Sequence, residues 1–203
     1  SDQDDPTDYV YFKNYYIAPS YNFDLGEKDD LSVIASYQHR EYVRQQGIPH
    51  GNSSTYKSYS HNLFFGEPDH GYNVNVYRAG ANYAHYFDNW TYKQNFAVTK
   101  TDTQGDAVLA VSNTTLPTIK RAVNNQDKQD INYTLDSNLQ RNFNFGGVNY
   151  NVMVGLDMMK ERSDYYRRTD TINSFNADHP NYGITSVKLG TPTQELTYSQ
   201  YAG

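Results

Sequence analysis

The chain has 203 residues, of which 37% are hydrophobic; it contains 21 tyrosines and no cysteine, and its formal net charge is −6. This length suits one domain with a sizeable core, and the absence of cysteine excludes disulfides, zinc–thiolate sites and cysteine nucleophiles. The acidic balance leaves no basic stripe to neutralise phosphates, which argues against a nucleic-acid partner. The mean hydropathy is −0.86, and the sequence has no run of about 18 apolar residues that would predict a transmembrane helix.

Seven stretches along the chain alternate between apolar and polar residues, the pattern of β-strands. Most of these stretches are about 11 to 15 residues long, whereas globular strands usually have about 5–6. A tilted strand needs about 9–11 residues to cross a bilayer, so the candidates are long enough to span a membrane. In chain order, the candidates are 15–25, 31–43, 73–87, 91–103, 131–145, 148–159 and 195 onward.

The fifth and sixth candidates carry the clearest pattern. From Asn132 to Asn144, every second residue is polar, while the residues between them are mainly apolar. Gly146-Gly147 follows, and a second alternating stretch then begins at Val148. This arrangement predicts a hairpin with a two-residue turn. In a transmembrane barrel, the polar side of such a hairpin would face a wet lumen and the apolar side would face lipid.

The links between the candidates alternate between short and long. Residues 26–30, 88–90 and 146–147 form tight turns, whereas 44–72, 104–130 and 167–194 are long and polar. Three long structureless loops would be unusual in a compact soluble domain. Outer-membrane barrels have short periplasmic turns and long external loops. We therefore predict an all-β fold: about seven long antiparallel up-and-down strands of an incomplete transmembrane β-barrel. A soluble all-β binding protein is the less favoured interpretation.

Six short motifs follow one another along the chain: Tyr16–Tyr21, Gly47–Pro49, Leu63–Asp69, Phe87–Asn95, Leu135–Gln140 and Val154–Asp157. In this order they resemble the motifs of TonB-dependent siderophore receptors of the ferric-hydroxamate (ferrichrome) type. The resemblance covers roughly residues 15 to 166. It departs from the family at Phe23, where the family has tryptophan, and at Phe64, which replaces leucine.

The resemblance implies uptake of a ferric siderophore across the bacterial outer membrane. It implies that residues 1–203 belong to the barrel domain, while the plug domain and the TonB contact are absent from this chain. Because the last residues read as part of a strand, we expect an internal piece of a longer protein. The implied partners are the ferric siderophore, outer-membrane lipid and TonB. The alternative function is a passive channel or a structural outer-membrane barrel.

A siderophore carries its iron within its own oxygen ligands, so the resemblance implies aromatic and hydrogen-bonding contacts rather than a protein cofactor or metal ligands. The family places its ligand near the strand ends that enter the first two long loops. The same tyrosines could instead be an aromatic girdle at the membrane surface. The candidate ligand-binding residues are Tyr42, Arg44, Gln46, Ile48, Tyr56, Phe64, Phe65 and Gln104.

Other chemistry has weaker support. The sequence has no GxSxG, HExxH, P-loop or dinucleotide motif, so we predict no enzyme activity. His61 and His70 flank Gly66–Asp69 and could ligate a metal. A turn is the favoured interpretation of this segment, because Pro and Asp set turn geometry, and we expect the loop to pack over the lumen. Asp24, Asp136 and Asp157 are interpreted as lumen charges rather than an acid–base site.

Overall fold

The computed structural model describes residues 2–44, 59–111, 116–183 and 194–202. All regular structure in these ranges is β-strand, and none of them contains a helix able to cross a membrane. The strands, numbered in chain order, are β1 (Asp2–Asp4), β2 (Tyr11–Ile17), β3 (Ser20–Asp24), β4 (Asp29–Tyr42), β5 (Tyr72–Phe87), β6 (Trp90–Ala110), β7 (Thr118–Phe145), β8 (Val148–Asn176) and β9 (Gln194–Ala202).

These strands form one antiparallel sheet in which sequence neighbours pair. The order across the sheet is β1-β2-β4-β5-β6-β7-β8-β9, with β3 also paired to β4. Among the described strands, the sheet remains open and does not close on itself. The predicted all-β, up-and-down architecture is therefore confirmed, and short β1 is an addition to it.

Strands β2 and β3 form one strand in two pieces, as the first candidate predicts. Ile17 pairs with Tyr37 and Ser20 pairs with Ile34, so the same register runs through both pieces. The break falls at Pro19, which has no N–H to donate. Its carbonyl still accepts a hydrogen bond from the Ala35 N–H at 3.0 Å.

The residues of the Gly146-Gly147 turn suit its backbone conformation. Phe145 pairs with Val148, and the two residues between them, Gly146 and Gly147, have φ of 62° and 81°. Two consecutive positive φ angles define the type I′ turn, whose twist matches a hairpin, and glycine adopts them without strain. The predicted hairpin at Gly146-Gly147 is confirmed.

The second and third long links were predicted wrongly. Strand β6 continues to Ala110 and β7 begins at Thr118, so most of 104–130 is strand. Likewise, β8 continues to Asn176. These extensions lack the alternation of apolar and polar residues that identifies a half-buried strand. From Asn124 to Asp130, for example, every residue is polar. Near the far end of the β7 extension both faces are buried, as the consecutive residues Ala122 and Val123 show, so no period of two marks the strand there.

The register divides the membrane-length part of the sheet into an apolar and a polar face. Phe96, Leu135 and Met158 lie opposite one another in one row, whereas Asn95, Asp136 and Asp157 form the neighbouring row. Paired residues share a face and successive residues alternate. The apolar face is open: Val154 is 70% exposed and Phe145 is 73% exposed.

Aromatic residues border the apolar face at both ends. At the end with the short turns, Phe87 pairs with Trp90, and Arg141 stacks over the Trp90 ring at 5.2 Å. At the other end, Tyr37 and Tyr77 pack at 5.1 Å. Tyr77 and Phe87 stand ten positions apart in β5. At about 3.4 Å per residue and a tilt of about 40°, the band between the two borders is about 26 Å high, which matches the apolar belt of a transmembrane barrel.

Beyond the band, at the end opposite the short turns, two small cores lie on the two faces of the β6–β7–β8 extension. Ala110, which belongs to the first core, pairs with Arg121, while Leu109, in the second, pairs with Ala122. The first core contains buried Phe65, Ile119, Phe175 and Ala177, packed by Tyr59, Leu63, Ala110, Leu116 and Tyr182. The second contains buried Tyr72, Ala107 and Leu109, packed by Tyr42.

The first core shows where the first long link folds. The register of β7 is regular from Arg121 to Phe145, so Arg121 shares a face with Leu135, on the apolar side. The segment that carries Phe65 and Glu67 packs against this side. Our expectation that this loop packs over the lumen was therefore wrong. The physical reason is that Ile119, Phe175 and the Arg121 cation, which complement the loop, all belong to the other face.

Candidate ligand-binding face

The polar face ends, on the side of the strand extensions, in two rows that cross six strands. We call these two rows the entry patch. The first row is Phe12, Tyr42, Tyr72, Gly105, Gln126 and Arg167. The second row, two residues nearer the short turns, is Asn14, Arg40, Val74, Thr103, Lys128 and Tyr165.

Aromatic rings form one side of the entry patch. The rings of Tyr42 and Tyr72 lie 5.5 Å apart, and those of Phe12 and Tyr42 lie 6.4 Å apart. Tyr72 is only 6% exposed because it packs on Ala107 and Leu109. Next to it, Gly105 has φ of 143°, and a side chain there would meet the Gly71 carbonyl oxygen. The glycine therefore allows the loop to approach β6 beside Tyr72.

Cations complete the entry patch. The Lys128 ammonium binds the Asp130 carboxylate at 2.8 Å, and the Ser163 hydroxyl donates to that carboxylate at 2.6 Å. Arg167 donates to the Asn124 side-chain oxygen at 3.0 Å. The Nε atom of Arg40 is shielded from solvent and has no hydrogen-bond partner among the described residues. A shielded donor of this kind is costly, and a ligand oxygen would satisfy it.

Arg44 adds a further charge beside these rows. It follows the end of β4 and is exposed. Burial raises the pKa of the Tyr72 hydroxyl, while the positive charge of the nearby Arg44 acts to lower it. Arg44 is therefore close enough to act electrostatically on the aromatic part of the patch.

The structure brings together only some of the sequence-predicted ligand residues. Tyr42 is in the entry patch and Arg44 is beside it. Gln104 is exposed on the opposite face, where its amide donates to Asp127 at 3.5 Å. Phe64 and Phe65 are 3% and 6% exposed, in or beside the first core. The other three candidates, Gln46, Ile48 and Tyr56, lie outside the described residues.

Sequence reasoning missed Arg40, Lys128 and Arg167. These residues are far apart in the chain and become neighbours through the registers of β4 to β8. The alternating pattern does indicate that each of them lies on the polar side of its strand. Their common height, however, depends on registers that a single sequence does not give.

Arg121 was also missed, and it holds the first loop in place. Its guanidinium forms an ion pair with Glu67 at 2.9 Å, with both side chains almost fully buried. Arg121 also donates to the carbonyl of Gly66 at 3.1 Å and to that of Asn173 at 3.2 Å. The second Glu67 oxygen accepts the Gly183 N–H at 2.7 Å. The loop motif that contains Glu67 is thus a structural anchor between the first loop and the β7–β8 extension.

The histidines beside this loop show no sign of a shared site. His70 Nδ1 is 2.9 Å from an Asp106 carboxylate oxygen, and His61 is exposed. The predicted turn is present, since the His70 N–H donates to the Glu67 carbonyl at 3.2 Å. Within the described ranges, no group of three or more metal-ligating side chains occurs.

The open antiparallel sheet, its apolar band and its polar face define the wall of an up-and-down membrane barrel. Comparisons with known proteins agree with this class. No family model matches the chain. The ferrioxamine B receptor of Salmonella typhimurium strain LT2 is 27% identical over 182 residues, covering 84% of this chain. This chain spans 25% of that relative's length.

Solved structures share the fold. The ferric-catecholate import receptor Fiu from E. coli K12 superposes with a TM-score of 0.77 at 20% identity, over 92% of this chain and 32% of that chain. The outer-membrane ferripyoverdine receptor of Pseudomonas aeruginosa, bound to ferripyoverdine, gives 0.79 at 18% identity, over 98% and 28%. The relatives are receptors rather than enzymes. The resemblance to TonB-dependent siderophore receptors and the outer-membrane location predicted from the motifs are confirmed.

Proposed function

We propose that this chain forms part of the barrel wall of an outer-membrane receptor that takes up a ferric siderophore with energy delivered by TonB. In this proposal, residues 1–203 belong to the barrel domain, and the plug domain and the TonB contact belong to other parts of the protein. The single observation that carries the proposal is the combination of a lipid-height apolar band on one face with an aromatic and cationic patch on the other.

The apolar band is the part of the wall that would contact the membrane. Its height of about 26 Å and its aromatic borders suit a strand wall in contact with lipid. The polar face then borders the lumen, where Asn82, Asn95 and Asp136 can remain hydrated. Such a wall has no need of a protein-bound metal, because the iron of a ferric siderophore is already coordinated by the chelator.

The entry patch is the proposed ligand contact. Tyr42, which is only partly buried, offers ring surface together with a hydroxyl group, a combination that suits bulky chelates, and the buried Tyr72 ring packs beside it. Arg44 adds a donor beside them, just after the end of β4. Gln46, Ile48 and Tyr56 remain proposed contacts on the basis of the family resemblance. Phe64, Phe65 and Gln104 remain proposed as well, and their positions favour an indirect role through the packing of the first loop.

Growth on defined iron sources tests this function. A receptor-deficient strain that carries the complete gene should grow on at least one ferric chelate from a panel of siderophores. This growth should stop when TonB is removed. Growth that is equal with and without TonB would indicate a passive channel instead. A lack of growth on every chelate, with the receptor correctly assembled, would reject siderophore uptake.

A further inference from the structure

We propose that the entry patch selects ferric chelates that carry net negative charge over neutral chelates of similar size. This inference rests on the proposed function and specifies the ligand class of the same site. It depends on where charges stand on the polar face, which the registers of five neighbouring strand pairs determine.

The two rows of the entry patch contain three cations, Arg40, Lys128 and Arg167, and no carboxylate. Arg44 stands beside them, and the Asp106 carboxylate, which also acts on the Tyr72 hydroxyl, is bound by His70. The nearest carboxylate of the polar face in the next row is Asp130, which is paired with Lys128. The chain as a whole has a formal net charge of −6. The positive patch is therefore a local concentration of charge against an acidic background, rather than a result of composition.

The opposite end of the same face has the opposite sign. Two rows near the short turns hold four carboxylates and one cation. Those rows are Asn22, Ser32, Asn82, Asn95, Asp136 and Asp157, and Asp24, Asp30, Ala84, Lys93, Asn138 and Gly155. An anion that approaches this face is attracted to the entry patch and repelled farther along. Charge arranged in this way concentrates a ligand at one end of a cleft.

The surroundings of the cations also favour discrimination between anionic and neutral chelates. Arg40 is partly buried and its shielded Nε lacks a partner among the described residues. Lys128 is 32% exposed. Charges with reduced access to water interact more strongly with a ligand than fully solvated ones do, because screening is weaker. An oxygen-rich anionic chelate would supply an acceptor for the Arg40 Nε.

The tyrosines fit the same ligand class. Tyr42 is partly buried, its ring is supported by buried Tyr72 at 5.5 Å, and Tyr165 belongs to the second row. Aromatic rings stack on aryl groups, and guanidinium groups pack on aryl faces as well as binding oxyanions. A ferric tris-catecholate, which is a trianion with aryl rings, satisfies both preferences. A ferric trihydroxamate has no net charge and lacks these rings.

Binding of two matched probes to the complete receptor in detergent tests the inference. The probes are a trianionic ferric tris-catecholate and a neutral ferric trihydroxamate, and binding is followed by quenching of tryptophan fluorescence at low and high salt. The test variant is Arg40→Gln combined with Arg44→Gln. The control is Lys100→Gln, since Lys100 lies on the opposite face and is 41% exposed. Heat-modifiable migration in gels verifies barrel assembly.

We expect the wild-type receptor to bind the trianion at least about tenfold more tightly, with a preference that shrinks at high salt. The double variant should lose about tenfold or more in affinity for the trianion, and less than about twofold for the neutral chelate. Lys100→Gln should change neither affinity. Equal affinities, preference for the neutral chelate, or an unaffected double variant would overturn the charge preference while leaving siderophore uptake intact. Binding of neither probe would also overturn it, and the growth panel would then decide the function separately.

Discussion

At the scale of single residues, the pairing of Arg121 with Glu67 has the largest energetic consequence. Both side chains are almost completely buried, and the backbone carbonyls of Gly66 and Asn173 and the Gly183 N–H complete the network. A buried ion pair is a weak net stabiliser, since both charges leave water. Removing one partner is strongly destabilising, because the other charge is then buried without a counter-charge.

We therefore predict that Arg121→Met destabilises the closed first loop by about 3–5 kcal/mol. The Gly183 N–H donates a hydrogen bond to Glu67, and its hydrogen exchange should accelerate strongly in this variant. The double variant Arg121→Met, Glu67→Leu should be much less affected, because it removes both charges. Equal exchange in the single variant and the wild type would show that the pair does not anchor the loop.

His70 gives the loop a dependence on pH. The hydrogen bond to Asp106 raises the pKa of His70 above its usual 6.5, the negative charges of Asp106, Glu67 and Asp69 act in the same direction, and burial opposes them. A raised pKa means that the protonated form is favoured in the folded loop. The stabilisation is therefore fully present below about pH 6.5 and is lost as pH rises through the higher folded value.

We predict that protection of the Asp106 amide, which donates to the Gly71 carbonyl at 3.1 Å, decreases as pH rises from about 6 to about 8 after correction for intrinsic exchange. In Asp106→Asn, the same amide should show a much smaller pH dependence. A profile that is identical in the variant and the wild type would assign the dependence to another group.

At the scale of strands, the sequence predicted those parts of the sheet whose two faces meet different surroundings. The hairpin around Gly146-Gly147 was predictable because lipid on one side and water on the other impose a strict period of two on β7 and β8. The extensions beyond the band, such as Thr118–Asp130, were not, because at each height the two faces have similar surroundings. Both faces are packed at Ala122 and Val123, and residues 124–130 are polar on both faces. The entry patch was only partly predictable: Tyr42 follows from its loop boundary, but Arg40 and Lys128 meet through register.

The facing of β7 and β8 can be tested by introducing charge on each side. Val154 is 70% exposed on the apolar face, whereas Asn138 lies on the polar face, diagonal to it across the strand pair. We predict that Val154→Arg destabilises the complete barrel, because the charge enters lipid. The cost should be smaller than the value of about 2–4 kcal/mol for an arginine at the bilayer midplane, because Val154 lies only two residues from Val152, which pairs with Arg141 at the aromatic border. Asn138→Arg should cost much less, since its side chain meets water. Equal costs in equilibrium folding into lipid vesicles would contradict the facing.

At the scale of the whole molecule, the sheet is a wall with two edges. Strands β1 and β9 have no partner on their outer sides within the described sheet. Unpaired edges and a continuous apolar face promote association. We predict that the 203-residue chain, refolded alone in detergent, forms heterogeneous oligomers in size-exclusion chromatography, while the complete receptor elutes as one species. A monodisperse monomer of the isolated chain would show that its edges are protected.

The most direct test of the central claim, that this chain is a lipid-facing barrel wall, is a spin-label scan across β8. The chain has no cysteine of its own, so single cysteines can be placed at positions 151 to 157 of an otherwise cysteine-free receptor in vesicles. We expect alternation: labels at 152, 154 and 156 collide with oxygen dissolved in lipid, and labels at 151, 153, 155 and 157 collide with a water-soluble relaxant. Loss of alternation, or the reverse pattern, would contradict it.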